Sequence, residues 1–206
     1  EEPAPPEDVW PDLRRREIIF PREGSAFEGA HEYVFKHALL RDVTYESVLR
    51  RRRRGYHRRA AEWLIRASGD RVDEYADVIA AHFAQAEDPA EAEWQARAGR
   101  QAAARYATAE AIRAFSRALD LIPAEEQARR YDLLLDRRRI YHLLGERQQE
   151  AADVAALRQL ADALDDPRRQ SQAALETTRY YLATSAYEQA LQTSAAATAA
   201  AVQAGD

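Results

Sequence analysis

Apolar residues cluster in two short runs near the start of the chain, Glu17–Phe20 (EIIF) and Glu32–Phe35 (EYVF). Both are rich in β-branched and aromatic residues, and the intervening PREGSAFEGAH supplies Gly24 and Gly29 as turn formers, so together they predict one β-hairpin. A lone hairpin is marginal in water, so this one has to pack on the following helix or on a further domain. No strand is expected after Lys36, because from there on the periodicity is helical and alanine is abundant.

Leu49, Tyr56, Ala60, Trp63 and Ala67 recur at steps of seven, four, three and four, which predicts the core-facing stripe of a helix. That helix contains five consecutive arginines, Arg50, Arg51, Arg52, Arg53 and Arg54, spread over its other faces. Gly55 costs about 1 kcal/mol relative to Ala in a helix interior and marks where a break would fall. Ser68-Gly69-Asp70 ends the segment, and a shorter helix over 72–85 carries Tyr75, Val78, Ile79 and Phe83 on its apolar side before Glu87-Asp88-Pro89 closes it.

After Pro89 the pattern repeats. Helix pairs are predicted at 90–106 with 108–121, at 126–144 with 148–164, and at 167–184 with 187–204. Each first helix ends in a tight connection and each second helix is alanine-rich on one face, so antiparallel hairpins can approach closely and stack. The fold class expected is all-α, a right-handed array of antiparallel helical hairpins preceded by a small β-hairpin.

Charge changes the picture only locally. The 206 residues carry a formal net charge of −5, and Lys36 is the only lysine, so arginine is the background cation and the run at 50–54 is weaker evidence for nucleic acid than its density suggests. The absence of cysteine excludes disulfides and Cys-based zinc sites and agrees with a reducing compartment. No methionine opens the chain, no apolar run approaches the roughly 18 residues of a membrane span, and the start, EEPAPPEDVWPDL, is acidic and proline-rich. These features predict a soluble, cytoplasmic fragment of a larger protein, with no membrane partner.

The segment 92–123 resembles a tetratricopeptide repeat, with Gly99, Ala111, Phe115, Ala118 and Pro123 at the small, small, aromatic, small and proline positions, although Ala102 stands where an aromatic is usual. Tyr181, Tyr187, Ala190 and Ala197 fit the same motif in the third pair, with Val202 in place of proline, while the middle pair has Leu144-Gly145 at its turn and exceeds the usual period. Upstream, FKHALLRDVTYES, RGYHRRAAEWL and AEWQARAGRQAAARYATAEAIRAFSRALDLI are similar to the region after the ATPase domain in bacterial adenylate/guanylate cyclases with an AAA-type module and in related signal-transduction ATPases. The resemblance implies an acidic, proline-rich segment and helix end (1–15), a winged-helix remnant (16–48), linking helices (49–89) and tetratricopeptide-like repeats (90–206). It also implies that His37 corresponds to a winged-helix histidine that contacts the phosphate of bound ADP in such ATPases. Read from its own neighbours, His37 is a junction histidine bonded to backbone. The DNA-reading helix of a winged-helix domain has no counterpart before Arg16.

Candidate chemistry is sparse. His31, His57, His82 and His142 form no metal motif, and there is no P-loop, no G-x-S-x-G and no glycine-rich dinucleotide turn. No catalytic residue, metal or cofactor is predicted. Glu146 and Glu150 sit at helical spacing and read as a solvated face. Trp63, Trp94, Phe115, Tyr180 and Tyr181 read as packing between helices. The arginine run is first a solvated junction, second a docking surface for an acidic partner or for the parent's own ATPase or cyclase domain, and third a nucleic-acid contact. The polar face of the inner helices, with Glu93, Arg100, Ala103 and Ala104, is the expected partner surface. Two alternatives to an interaction scaffold stay open: a nucleic-acid-associated regulator, and part of an enzyme completed by other domains. The partner and the oligomeric state are not readable.

Overall fold

The computed structural model describes residues 9–204; the acidic start, 1–8, lies outside them. Helix α1 (Val9–Arg15) leads into β1 (Ile19–Pro21), which pairs antiparallel with β2 (Tyr33–Phe35) in the register Ile19 to Phe35 and Pro21 to Tyr33. The first strand begins later than the sequence suggests. Glu17 is held at a positive φ just after α1, where its carboxylate pairs with Lys36, and the strand ends at Pro21, which has no N–H to give a ladder. Trp10 stacks on Tyr33 at 5.0 Å, and Ile19 is buried. Among the described residues there is no strand beyond Phe35.

Helix α2 (Ala38–Ser47) follows, and none of its residues is buried. Helix α3 (Arg50–Ser68) then runs unbroken through Gly55 and stops where Gly69 takes a positive φ. Its buried stripe is not the predicted one. Leu49, Tyr56, Trp63 and Ala67 are exposed and Ala60 is half-buried, whereas Ala61, Leu64 and Ser68 are buried with His57, Arg53 and Ile65 half-buried beside them. The packed face lies one residue further round the helix, and its Arg, His and Ser hide it from a hydropathy count. The Ser68 hydroxyl is satisfied within the helix, donating to the Leu64 carbonyl at 2.6 Å. Trp63 instead rests edge-on against Phe27 at 4.9 Å and stays 42% exposed.

A 3-10 turn, Gly69–Tyr75, replaces the expected first turn of the next helix, and α4 (Ala76–Ala86) buries Ala76, Ile79, Ala80 and Phe83 while Val78 faces solvent. The array continues as α5 (Glu91–Ala104), α6 (Thr108–Leu121), α7 (Gln127–Leu144), α8 (Arg147–Leu164), α9 (Pro167–Ala183) and α10 (Tyr187–Ala204). From α3 onward consecutive helices pack as antiparallel hairpins, and each hairpin also packs on the next, giving an all-α array with a small N-terminal β-hairpin.

The left-handed turn residues Tyr106, Gly145 and Ser185 fix a common register for the three hairpins after Pro89. In that register Gly99, Arg138 and Thr178 are equivalent, as are Ala111, Glu150 and Ala190, and all six are buried. In the first hairpin Gly99, Ala111, Phe115 and Ala118 are all buried, as its sequence predicts, and the Phe115 ring lies directly over Gly99, while Pro123 is exposed just beyond α6. The third hairpin thins out. Tyr181 and Ala197 are half-buried and Tyr187, the first residue of α10, is 67% exposed, so Tyr187 does not take the packing role the motif implies.

Candidate interaction surfaces

The arginine run has a structural task in part. Helix α4 is capped at its C-terminus by Glu87, itself in the left-handed region, and the Ala86 carbonyl there is open to a donor from α3. Arg54 donates from Nε to the Ala86 carbonyl at 3.1 Å and pairs with Glu87 at 3.0 Å, Arg50 also pairs with Glu87, and Arg58 pairs with Asp88 at 2.6 Å. Cations at a helix C-terminus complement its dipole, so α3 clamps the end of α4. The hydrogen bond from Arg50, with the charges of Arg50 and Arg54, holds the Glu87 carboxyl below the usual carboxylate range although burial opposes it. Arg51 and Arg52 are exposed, and Arg53 lies over the Tyr45 ring at 4.8 Å. Tyr45, Arg50, Arg53, Arg54, Gln85 and Glu87 line a cleft of about 180 Å³.

The inner-helix face is drawn together by ion pairs. Glu93 of α5 meets Arg129 of α7 at 3.2 Å, and Arg100 of α5 meets Asp136 of α7 at 2.9 Å, so both expected partner residues already bridge consecutive hairpins. Ala103 is half-buried and Ala104 exposed. Between these helices lies a cleft of about 290 Å³ whose wall includes Ala103, Tyr106, Phe115, Ile140 and Leu143, with Arg100, Asp136 and Arg139 at the rim. Tyr106 and Leu143 are among the most exposed large apolar side chains of the molecule.

His37 sits at the N-cap of α2 in extended conformation, exposed, and its side chain makes no capping hydrogen bond; its backbone carbonyl accepts from the Arg41 N–H at 3.2 Å. The aromatic residues divide as packing requires: Trp94 and Phe115 are buried, and Tyr180 and Tyr181 are half-buried with ring centroids 5.7 Å apart.

Two constellations were not legible in the sequence. The first corrects the reading of Glu150 as solvated: it is 0% exposed, and Arg138 and Glu176 are each 2% exposed. Arg138 pairs with Glu150 at 3.0 Å and also with Glu176; Arg147 and His142 reach Glu150 at 2.5 and 2.7 Å, and Arg179 reaches Glu176 at 2.8 Å. Burial pushes the Glu150 carboxyl up, but hydrogen bonds from Arg147, His142 and Arg138 outweigh it and leave the group below its ordinary value. An ionic pair thus stands in the middle hairpin where the first has Gly99 and Ala111. Alongside it, Arg137 forks onto Asp153 at 2.6 and 3.0 Å and donates to the Ser116 hydroxyl at 2.8 Å. The signal was available only through register, since aligning Gly145 with Tyr106 places Arg138 and Glu150 at small-residue positions.

The second is a pair of histidines remote in sequence. His57 Nδ1 lies 2.9 Å from His82 Nδ1, and His57 Nε2 lies 2.8 Å from the Tyr45 hydroxyl. Among the described residues no group of three or more His, Cys, Asp or Glu comes together in a way that could hold a metal ion, and no helix is long and apolar enough to cross a membrane. In comparisons with known proteins, the chain matches no protein-family model and no curated protein.

Proposed function

We propose that the chain is a non-catalytic interaction and regulatory scaffold, a segment of a cytoplasmic, ATPase-linked signalling protein of the cyclase or transcriptional-regulator type. It holds a protein partner, or the ATPase or cyclase domain of its own parent. The observation that carries this reading is the cleft between α5 and α7, where exposed Tyr106 and Leu143 flank an apolar wall and two arginines share a single aspartate. Such a site suits an apolar side chain of a polypeptide presented next to an acidic group, because the aromatic anchor supplies contact area and the arginines supply directed donors. The array itself supports the reading, since stacked hairpins offer an extended surface and few enclosed cavities.

The test is calorimetric titration of the chain with the purified ATPase or cyclase domain encoded in the same gene, alongside a Tyr106→Ser/Leu143→Ser variant. Binding by the chain that is lost in the variant, with an unchanged helical circular dichroism signal, is the expected result. No binding, or equal binding by the variant, refutes the assignment to this cleft. The nucleic-acid alternative is disfavoured because Arg50, Arg54 and Arg58 already neutralise Glu87 and Asp88. Tight duplex binding near physiological salt, lost on changing Arg51, Arg52 and Arg53 to Gln, would reinstate it.

A further inference from the structure

We infer that Tyr45, His57 and His82 form a proton-gated latch that seats α2 on the helical array and releases it when both imidazoles are protonated. The inference goes beyond the scaffold reading and stands without it. Its basis is the hydrogen-bond chain across three helices, with Tyr45 of α2 on His57 of α3 at 2.8 Å and His57 on His82 of α4 at 2.9 Å. A contact between two Nδ1 atoms at that distance needs one ring to donate and the other to accept. Two arrangements satisfy the chain: the Tyr45 hydroxyl donates to His57 Nε2 and His57 Nδ1–H to His82 Nδ1, or His82 Nδ1–H donates to His57 Nδ1 and His57 Nε2–H to the Tyr45 oxygen; either way a single proton lies between the two Nδ1 atoms.

One added proton leaves a workable arrangement, because a charged His57 donates from both nitrogens, to the Tyr45 oxygen and to His82. A second proton does not. Both Nδ1 atoms then carry hydrogen, the bond has no acceptor, and two like charges face each other across a hydrogen-bond distance.

The surroundings supply little relief. From α2 the pair is faced by Tyr45; from α3, one turn before His57, by Arg53, whose guanidinium lies over the Tyr45 ring. At the end of α4 the carboxylates of Glu87 and Asp88 are engaged by Arg50, Arg54 and Arg58. Burial and then the Arg53 charge hold the His57 imidazole below its ordinary value, and burial and then the His57 charge do the same for His82. Depressed imidazole values mean that the closed arrangement is fully favoured above about pH 6.5, the ordinary value, and loses support as the pH falls below it.

Opening should show in α2 first. That helix buries none of its residues, and a helix of its length is marginal alone in water, so its seat on α3 depends on the Tyr45 hydroxyl and ring.

The chain has no cysteine, so Glu46→Cys on α2 and Ala109→Cys on α6, both exposed, can carry a unique pair of spin labels. Electron–electron resonance distances are measured from about pH 7.5 to about pH 5, bracketing the imidazole range. The expected result is one narrow distribution that broadens and shifts with a midpoint below the ordinary histidine value, and no such response when His82→Gln is added. An unchanged distribution across the range, or the same response in the His82→Gln background, overturns the latch. Loss of helical circular dichroism beyond the share of the ten residues of α2 over the same range also overturns it, because the event is then general unfolding. Carbon-13 shifts of the two imidazoles in the unsubstituted chain give a reading that needs no variant: independent titration of both at the ordinary value counts against the latch, and a second protonation displaced well below the first supports it.

Discussion

The same substitution should have opposite effects at two glycines that both sit inside helices. At Gly99 a Cβ would lie 2.6, 2.7 and 3.0 Å from three atoms of the Phe115 ring. Phe115 is 1% exposed and part of the main core, so the ring cannot swing out to make room. Overpacking of this kind costs about 1–3 kcal/mol, against a helix-propensity gain of about 1 kcal/mol for replacing Gly by Ala. The net expectation for Gly99→Ala is a loss of about 1 kcal/mol, within a range from nearly neutral to about 2 kcal/mol. At Gly55 nothing lies within 4 Å of the added carbon, and its φ is unexceptional. Gly55→Ala should therefore realise the propensity term alone and stabilise by up to about 1 kcal/mol. Urea unfolding followed by circular dichroism, with the slope checked for constancy, measures both on one scale. A Phe115→Leu background should convert Gly99→Ala from a loss toward a gain, which isolates the ring contact as the cause. Equal stabilisation at the two glycines would refute the reasoning, because it would show that Gly99 is spared no contact and that the repeat register is wrong.

Glu150→Leu leaves Arg138 and Arg147 short of their shared carboxylate in a buried site and is expected to cost about 3–5 kcal/mol, read by the same unfolding assay. Since the native surroundings hold the Glu150 carboxyl below its ordinary value, its contribution is present above about pH 4.3 and is lost as the pH falls; stability of the native chain should drop through the acid range more steeply than that of the variant. Within the arginine run the two ends should separate: Arg51→Gln should leave the unfolding midpoint in place, while Arg54→Gln, which removes a donor from the Ala86 carbonyl in a partly exposed site, should cost about 0.5 kcal/mol.

Helix spans were readable because each is framed by local chemistry. Gly145 and Pro167 mark a helix end and a helix start, and a strand–turn–strand signal preceded Lys36. The face that α3 buries was not readable, since Arg53, His57 and Ser68 share it with Ala61 and Leu64, while the aromatics that dominate a hydropathy count sit on the other side. Tertiary partners decide such a face: Ser68 is satisfied within its own helix, but His57 needs His82 and Tyr45, which are far away in sequence. The buried ion pair failed for a related reason. Arg138 and Glu150 look like ordinary surface residues until the turn residues are superposed, and only the stacking of α9 on α8 brings in Glu176 to complete the set.

Helix α5 belongs to two cores at once. Trp94 and Ala98 close over α3 and α4, while Ala92, Ala96 and Ala102 join the cluster that extends to α9. A rod glued along both sides cannot act as a pivot, so no door-like swing is available at Pro89, and force applied at either end of the array has to be shared as a slight bend in every hairpin, as in a leaf spring. The joint that can turn lies further back, at Leu49, where the chain passes from a helix that buries nothing to one whose second half is seated in the core. Whatever pulls on α2 therefore works against one soft hinge in series with a stiff spring, and the hinge yields first.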